Sequence, residues 1–175
     1  GAGYNKRLSS SNNLNLNYRK NFFNTFGSYS YNNNKWEQNL LIDRVTPNEA
    51  NKLYFSQRNT DTSNNNSHNF KIGTDFFLSP KHTVGFLVKG NINNREENSF
   101  SRTNIGSSLG QTDSILRTPS HNEGARKNYS YNLNYKGILD TAGQELTLDV
   151  DYSTFDGDND ALYRNKFFRP DGTFF

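Results

Sequence analysis

The chain has 175 residues, 31% of them hydrophobic and 14% aromatic, with a formal net charge of +3 and neither cysteine nor methionine. The lack of cysteine excludes disulfides and thiolate chemistry. So small a charge, on scattered Lys and Arg with no recognition motif around them, gives no reason to expect a nucleic-acid partner. No apolar run is long enough for a transmembrane helix, and no signal peptide is read in the sequence. Without an initiator, the chain from Gly1-Ala2-Gly3 onward reads as an excised or processed piece of something longer.

The elements follow from alternation of apolar and polar side chains, which puts successive residues of a strand on opposite faces. The first strand is expected from Leu8 to Arg19, turning at Lys20-Asn21. The second starts near Phe22, sets Phe23, Thr25, Gly27, Tyr29 and Tyr31 on one face, and runs past Trp36 to about Asp43 with a break at Asn32-Asn33-Asn34. A polar loop over 46–67 follows. The third strand begins near Asn69 and turns through Ser79-Pro80-Lys81-His82, where a proline loses no ladder bond. The fourth starts at Thr83 and extends toward Phe100, and a second long loop covers 103–126. Asn128 to Leu139 and Gln144 to Phe155 form the last hairpin, turning through Asp140-Thr141-Ala142-Gly143. A third loop takes 156–175.

The expectation is thus an all-β, antiparallel meander of about six strands: hairpins over 8–43, 69–100 and 128–155, with short turns alternating with long loops. Asn, of which there are 29, is depleted in soluble strands, so these strands need water on one face. A spanning strand of a barrel needs about 9–11 residues, and short turns on one side with long loops on the other are the habit of outer-membrane barrels. Six strands are too few to close such a barrel, whose count starts at about eight, so the chain is expected to be part of the wall of a larger transmembrane β-barrel. On that reading Phe70, Ile72, Phe76, Val84, Phe86, Val88, Leu133, Tyr135, Leu146, Leu148 and Val150 face lipid. Lys71, Asp75, Lys89, Asn132, Asn134, Asp149 and Asp151 face the lumen. The alternative is a soluble β-sandwich, an adhesin or carbohydrate-binding module, with the aromatics in a dry core or a sugar-stacking platform. Trp36 marks either the outer membrane interface or ordinary packing.

Asn17-Tyr18-Arg19-Lys20 followed by Phe26-Gly27-Ser28-Tyr29-Ser30-Tyr31 resembles the barrel of TonB-dependent receptors from Bacteroidetes. So do Lys81-His82-Thr83-Val84-Gly85-Phe86 and Tyr129-Ser130-Tyr131-Asn132-Leu133-Asn134-Tyr135. The resemblance runs from about Tyr4 to Gly172. It implies a parent protein in the outer membrane of a Gram-negative bacterium that takes up a large or scarce ligand, such as an oligosaccharide, a siderophore or another nutrient. Its partners would be membrane lipid, the remainder of the barrel and its plug domain, and TonB, reached through an N-terminal part not present here. The isolated piece is expected to self-associate.

Chemistry is not expected. His68, His82 and His121 fall in expected loops or turns at spacings unlike a metal motif. Glu96 and Glu97, being adjacent, would point to opposite faces of a strand. The serines lack a nucleophile elbow, and Gly106-Ser107-Ser108-Leu109-Gly110 lacks a P-loop lysine. Asp156, Asp158 and Asp160 form a weak Ca²⁺ candidate without the distal Glu of an EF-hand loop. Asp and Asn are also ordinary turn residues. No enzyme activity and no cofactor are expected, and the terminal Phe174-Phe175 follows a turn-like Arg169-Pro170-Asp171-Gly172-Thr173 rather than an alternating strand.

Overall fold

The structure, a computed structural model, describes residues 2–4, 8–46, 52–140 and 142–175, the first three by backbone alone. Every element is a strand: β1 (Ala2–Tyr4), β2 (Leu8–Lys20), β3 (Phe23–Val45), β4 (Tyr54–Ser79), β5 (His82–Gly106), β6 (Ser114–Ile138), β7 (Glu145–Tyr163) and β8 (Lys166–Phe168). They make one antiparallel sheet in chain order from β1 to β7, with β8 also on β6. The body is a meander of six long strands, β2 to β7, and the sheet is not closed.

Three turns set the register. Lys20 pairs with Phe23, so the first turn is Asn21–Phe22, one residue later than expected. Ser79 pairs with His82 around Pro80–Lys81. The third turn is held by Asp140, whose Oδ1 accepts the N–H of Ala142 and of Gln144, both at 2.9 Å. Gly143 sits there at φ +93°, a conformation that favours glycine. Thr141 lies outside the described residues.

From these turns the ladders run in register, except for one irregularity between Phe77 and Ser79 where β4 meets β5 beside its turn. β3 and β4 pair from Phe23↔Phe76 to Val45↔Tyr54, and β5 and β6 from His82↔Gly137 to Ile105↔Ser114. The expected break at Asn32-Asn33-Asn34 is absent, because β3 continues through it. The expected loops shrink likewise: most of 46–67 belongs to β4, 103–106 to β5, 114–126 to β6, and 156–163 to β7. Polar residues were read as turn formers, yet the ladder bonds are made by backbone and do not depend on side-chain polarity. The polar side chains also bond across strands. Asn33 Nδ2 donates to Asn64 Oδ1 at 3.0 Å and to Asn66 Oδ1, and Asn91 Nδ2 donates to Asn69 Oδ1 at 2.6 Å.

β8 continues β7 in the same register on β6, as Tyr163↔Ser120 and Lys166↔Arg117 show. The gap between them lies opposite Pro119. Arg164 donates its N–H to the Pro119 carbonyl at 3.1 Å, but proline has no N–H to return, so half of that bonded pair is missing. After β8 the chain turns at Gly172, whose N–H bonds the Arg169 carbonyl at 2.9 Å, and Phe174 bridges back to Phe168.

Candidate functional site

Because opposite residues in an antiparallel pair share a face, the register assigns every strand residue to one of two surfaces. One carries row after row of apolar and aromatic side chains: Leu16, Gly27, Ile72, Val88, Tyr131 and Tyr152 stand in line across six strands, beside Tyr18, Thr25, Thr74, Phe86, Leu133 and Val150. Phe70, Phe76, Val84, Tyr135, Leu146 and Leu148 lie on this same surface. The opposite surface holds Lys71 paired with Lys89, Asp75 opposite Gly85, Asn132 opposite Asp151, and Asn134 opposite Asp149.

The apolar surface is not a core. Ile115, 3% exposed, is the one buried hydrophobic residue among those described, whereas Ile72 is 56% exposed and Val150 52%. No second sheet covers it among the described residues, so the dry core of a sandwich is not formed.

The continuous apolar rows lie in the half of the sheet nearest the short turns, and farther along the same face Leu41, Val45, Phe100 and Leu162 stand singly among polar residues. On β4 the rows run from Phe70 to Leu78, and on the same face nearer its start stand Arg58, Thr60, Thr62, Asn64 and Asn66. About nine residues at roughly 3.3 Å each, tilted by about 45°, give a band roughly 20 Å tall. Aromatic rings edge it on both sides. At the upper edge Tyr29 OH and His68 Nδ1 share a hydrogen bond of 2.8 Å, Tyr31 lies 4.9 Å from the same imidazole, and Phe70 reaches Tyr129, ring centroids 6.2 Å apart. Toward the turns, His82 Nδ1 and the Tyr135 hydroxyl bond at 2.7 Å with their rings stacked. His68 and His121 lie on β4 and β6, not in the loops expected for them, while His82 opens β5 beside its turn.

The sheet curls toward its polar face. A cavity of about 720 Å³ is lined there by residues of all six long strands, among them Asn13, Ser28, Lys71, Lys89, Ser130 and Ser153. A flat sheet could not bring β2 and β7 to one cavity. Nearer the loop ends a second cavity, of about 380 Å³, is lined by Trp36, Ser63, Asn65, Asn93, Asn122 and Arg126. Trp36 pairs with Ser63 and so stands on the polar surface. Alternation along β3 carried that information, but the expected break at Asn32-Asn33-Asn34 interrupted the count.

Asp156, Asp158 and Asp160 alternate along β7 and share the apolar surface beyond its aromatic edge, a strand and not a loop. Among the described residues no three His, Cys, Asp or Glu side chains converge in a way that could hold a metal ion. Glu96 and Glu97 sit on β5 with opposite facing: Glu97 takes Arg95 in an ion pair at 2.5 Å, and Glu96 accepts from Asn98. Ser107, Ser108 and Gly110 form the β5–β6 loop. Its Asp113 Oδ2 accepts the Ser107 N–H at 2.7 Å, and hydrogen bonds to Ser107 and Gln111 hold the Asp113 carboxyl below its ordinary range.

No helix of the described chain is long and apolar enough to cross a membrane, which says nothing of strands. No protein-family model and no curated protein matches the chain.

Proposed function

We propose that the sheet is part of the wall of an outer-membrane β-barrel, and that the parent is a TonB-dependent receptor importing a large or scarce ligand. The observation that carries the wall is the sense of the curl: polar residues are concave, apolar residues convex and exposed. A soluble β-protein buries its apolar face between layers, whereas a membrane barrel turns an apolar band of about 25 Å, flanked by aromatic girdles, toward lipid. The transport reading adds the family resemblance of the aromatic hairpins and the cavities along the concave face. On this reading the three short turns are periplasmic, and the polar halves of β3 to β7 rise above the membrane.

The test compares Val150→Arg with Asp149→Arg in the parent receptor. The guanidinium of the first variant would stand in lipid near mid-membrane, at a cost of about 2–4 kcal/mol, while a lumen-facing one is tolerated. Assembly into the outer membrane should fall for Val150→Arg and persist for Asp149→Arg. Equal assembly of the two variants would reject a lipid-facing convex surface.

A further inference from the structure

On the convex face, far beyond the apolar band, the register sets four cations side by side. Arg58, Arg102, Arg117 and Lys166 stand directly opposite one another on β4, β5, β6 and β8, a line roughly 14 Å long at the usual strand spacing. Like charges directly opposite destabilise a pair, and among the described residues none of the four has an ion pair. Along the described strands, the one carboxylate on this face within two positions of the row is Asp43, at its β3 end. Two details set the row apart from a solvated stripe. Arg58, Arg102, Ser56 and Asn104 line one cavity of about 270 Å³, so two guanidiniums border the same space as a hydroxyl and an amide. Arg117 is held in line by Phe168, its Cζ 5 Å or less from that ring at 4.4 Å to the centroid, and the three-residue β8 that brings this ring also brings Lys166.

We propose that this row is a binding site for a polyphosphoryl anion, a chain of phosphoryl groups lying across β4, β5, β6 and β8. Guanidinium forks bind phosphate oxygens through paired N–H donors, and such charge-assisted bonds are roughly twice as strong as neutral ones. A tetrahedral phosphoryl group offers oxygens in more than one plane, so one group takes Arg58 and Arg102 together with the Ser56 hydroxyl and the Asn104 amide. A carboxylate spends both oxygens on a single fork. The next phosphoryl groups of the chain then meet Arg117 and Lys166. Binding cancels the repulsion along the row, so the ligand stabilises the sheet that holds it. The site lies on the opposite surface from the concave cavities and does not rest on the barrel reading. On that reading Arg58 stands twelve positions beyond Phe70 on β4, roughly 40 Å along the strand. That is too far from the apolar band for the headgroups bordering it, so the ligand is a free chain and not a lipid.

The whole chain in uncharged detergent micelles and phosphate-free buffer, with strand content checked by circular dichroism, is titrated calorimetrically with orthophosphate, pyrophosphate and tripolyphosphate. Tetra-aspartate serves as a carboxylate control. Affinity should rise with each added phosphoryl group, and tripolyphosphate should bind saturably and at least tenfold more tightly than tetra-aspartate. Arg58→Gln and Arg102→Gln should each weaken it tenfold or more, whereas Lys71→Gln, in the like-charged pair of the concave face, should leave it unchanged. Tripolyphosphate should also raise the thermal midpoint of the unaltered chain and leave that of Arg102→Gln nearly unmoved. Each arginine variant relieves a repulsion, so both should fold. Absence of saturable binding in a folded sample, tetra-aspartate binding as tightly as tripolyphosphate, or unchanged binding by both arginine variants would overturn the site. So would an equal loss of binding in Lys71→Gln.

Discussion

Gly90 shows how much single residues matter on the convex face. It stands between Phe70 and Tyr129 in one row, and the Phe70 ring lies across it: a Cβ built on Gly90 would meet Phe70 Cζ at 2.2 Å. The glycine is there for close approach, since it lets one aromatic ring reach another two strands away. Gly90→Ala should push Phe70 aside and cost about 0.5–1.5 kcal/mol, the worth of an aromatic pair. Thermal unfolding in micelles would measure it, and Gly27→Ala, whose Cβ would find nothing closer than 3.4 Å, is the control. At this scale much was legible in the sequence. Alternation alone groups Phe70, Ile72 and Phe76 with Val84, Leu133 and Val150, because a period of two needs no knowledge of partners. The Phe70–Tyr129 contact was not legible, since it depends on two registers at once, and neither was the cavity beside Trp36.

Strand ends were the least legible element. Thr60 to Ser67 has the composition of a loop, yet each residue pairs on both sides, with β3 and with β5. Composition reports what a side chain prefers in isolation, while pairing is decided by neighbours already in register. That same register creates a conflict. Arg58, Arg102, Arg117 and Lys166 face one another across β4, β5, β6 and β8, and like charges directly opposite destabilise a pair. Arg102→Glu would turn two repulsions into attractions and should stabilise the sheet by about 0.2–1 kcal/mol for each contact, more in low salt than in high. A denaturation series at two ionic strengths checks this. The β5–β6 loop makes a prediction about acid. Asp113 has its carboxyl lowered from 3.8 by its bonds to Ser107 and Gln111, so the ordering it gives is complete above that ordinary value and fades as pH falls through the lowered one. Amide signals of residues 107–111 should therefore hold at neutral pH and broaden only in acid below about 3.8. Asp113→Asn should broaden them at any pH.

Taken whole, the molecule is a strip with two open edges and an uncovered apolar surface. Unpaired backbone at an edge invites another strand, and an exposed patch of this size invites association. In water without detergent the chain should sediment as oligomers. Micelles should cover the convex face but leave the edges unpaired, so dissociation in detergent should be incomplete. A folded monomer at high concentration in plain buffer would contradict the barrel reading. The meander and its strand count were legible because each hairpin announces itself locally. The curl was not, since bending a sheet depends on how two surfaces of unequal bulk pack across many strands.

The short β2 has one more consequence. It pairs with β3 only as far as Asn33, while β3 climbs on to Val45 with, among the described residues, β4 alone beside it. The bonds from the Phe77 N–H to the Phe22 carbonyl and from the Thr46 N–H to the Leu53 carbonyl show that even-numbered residues of β3 turn their backbone groups toward β4. The amides of Asn39, Leu41 and Asp43 therefore point the other way, into a vertical seam that opens at Asn33, just below the level of Trp36. Below Asn33 the wall is continuous from β2 to β7. Above it no described strand lies on that side of β3, and on the barrel reading proposed above this stretch would be a seam in the wall whose length is set by how early β2 leaves the sheet.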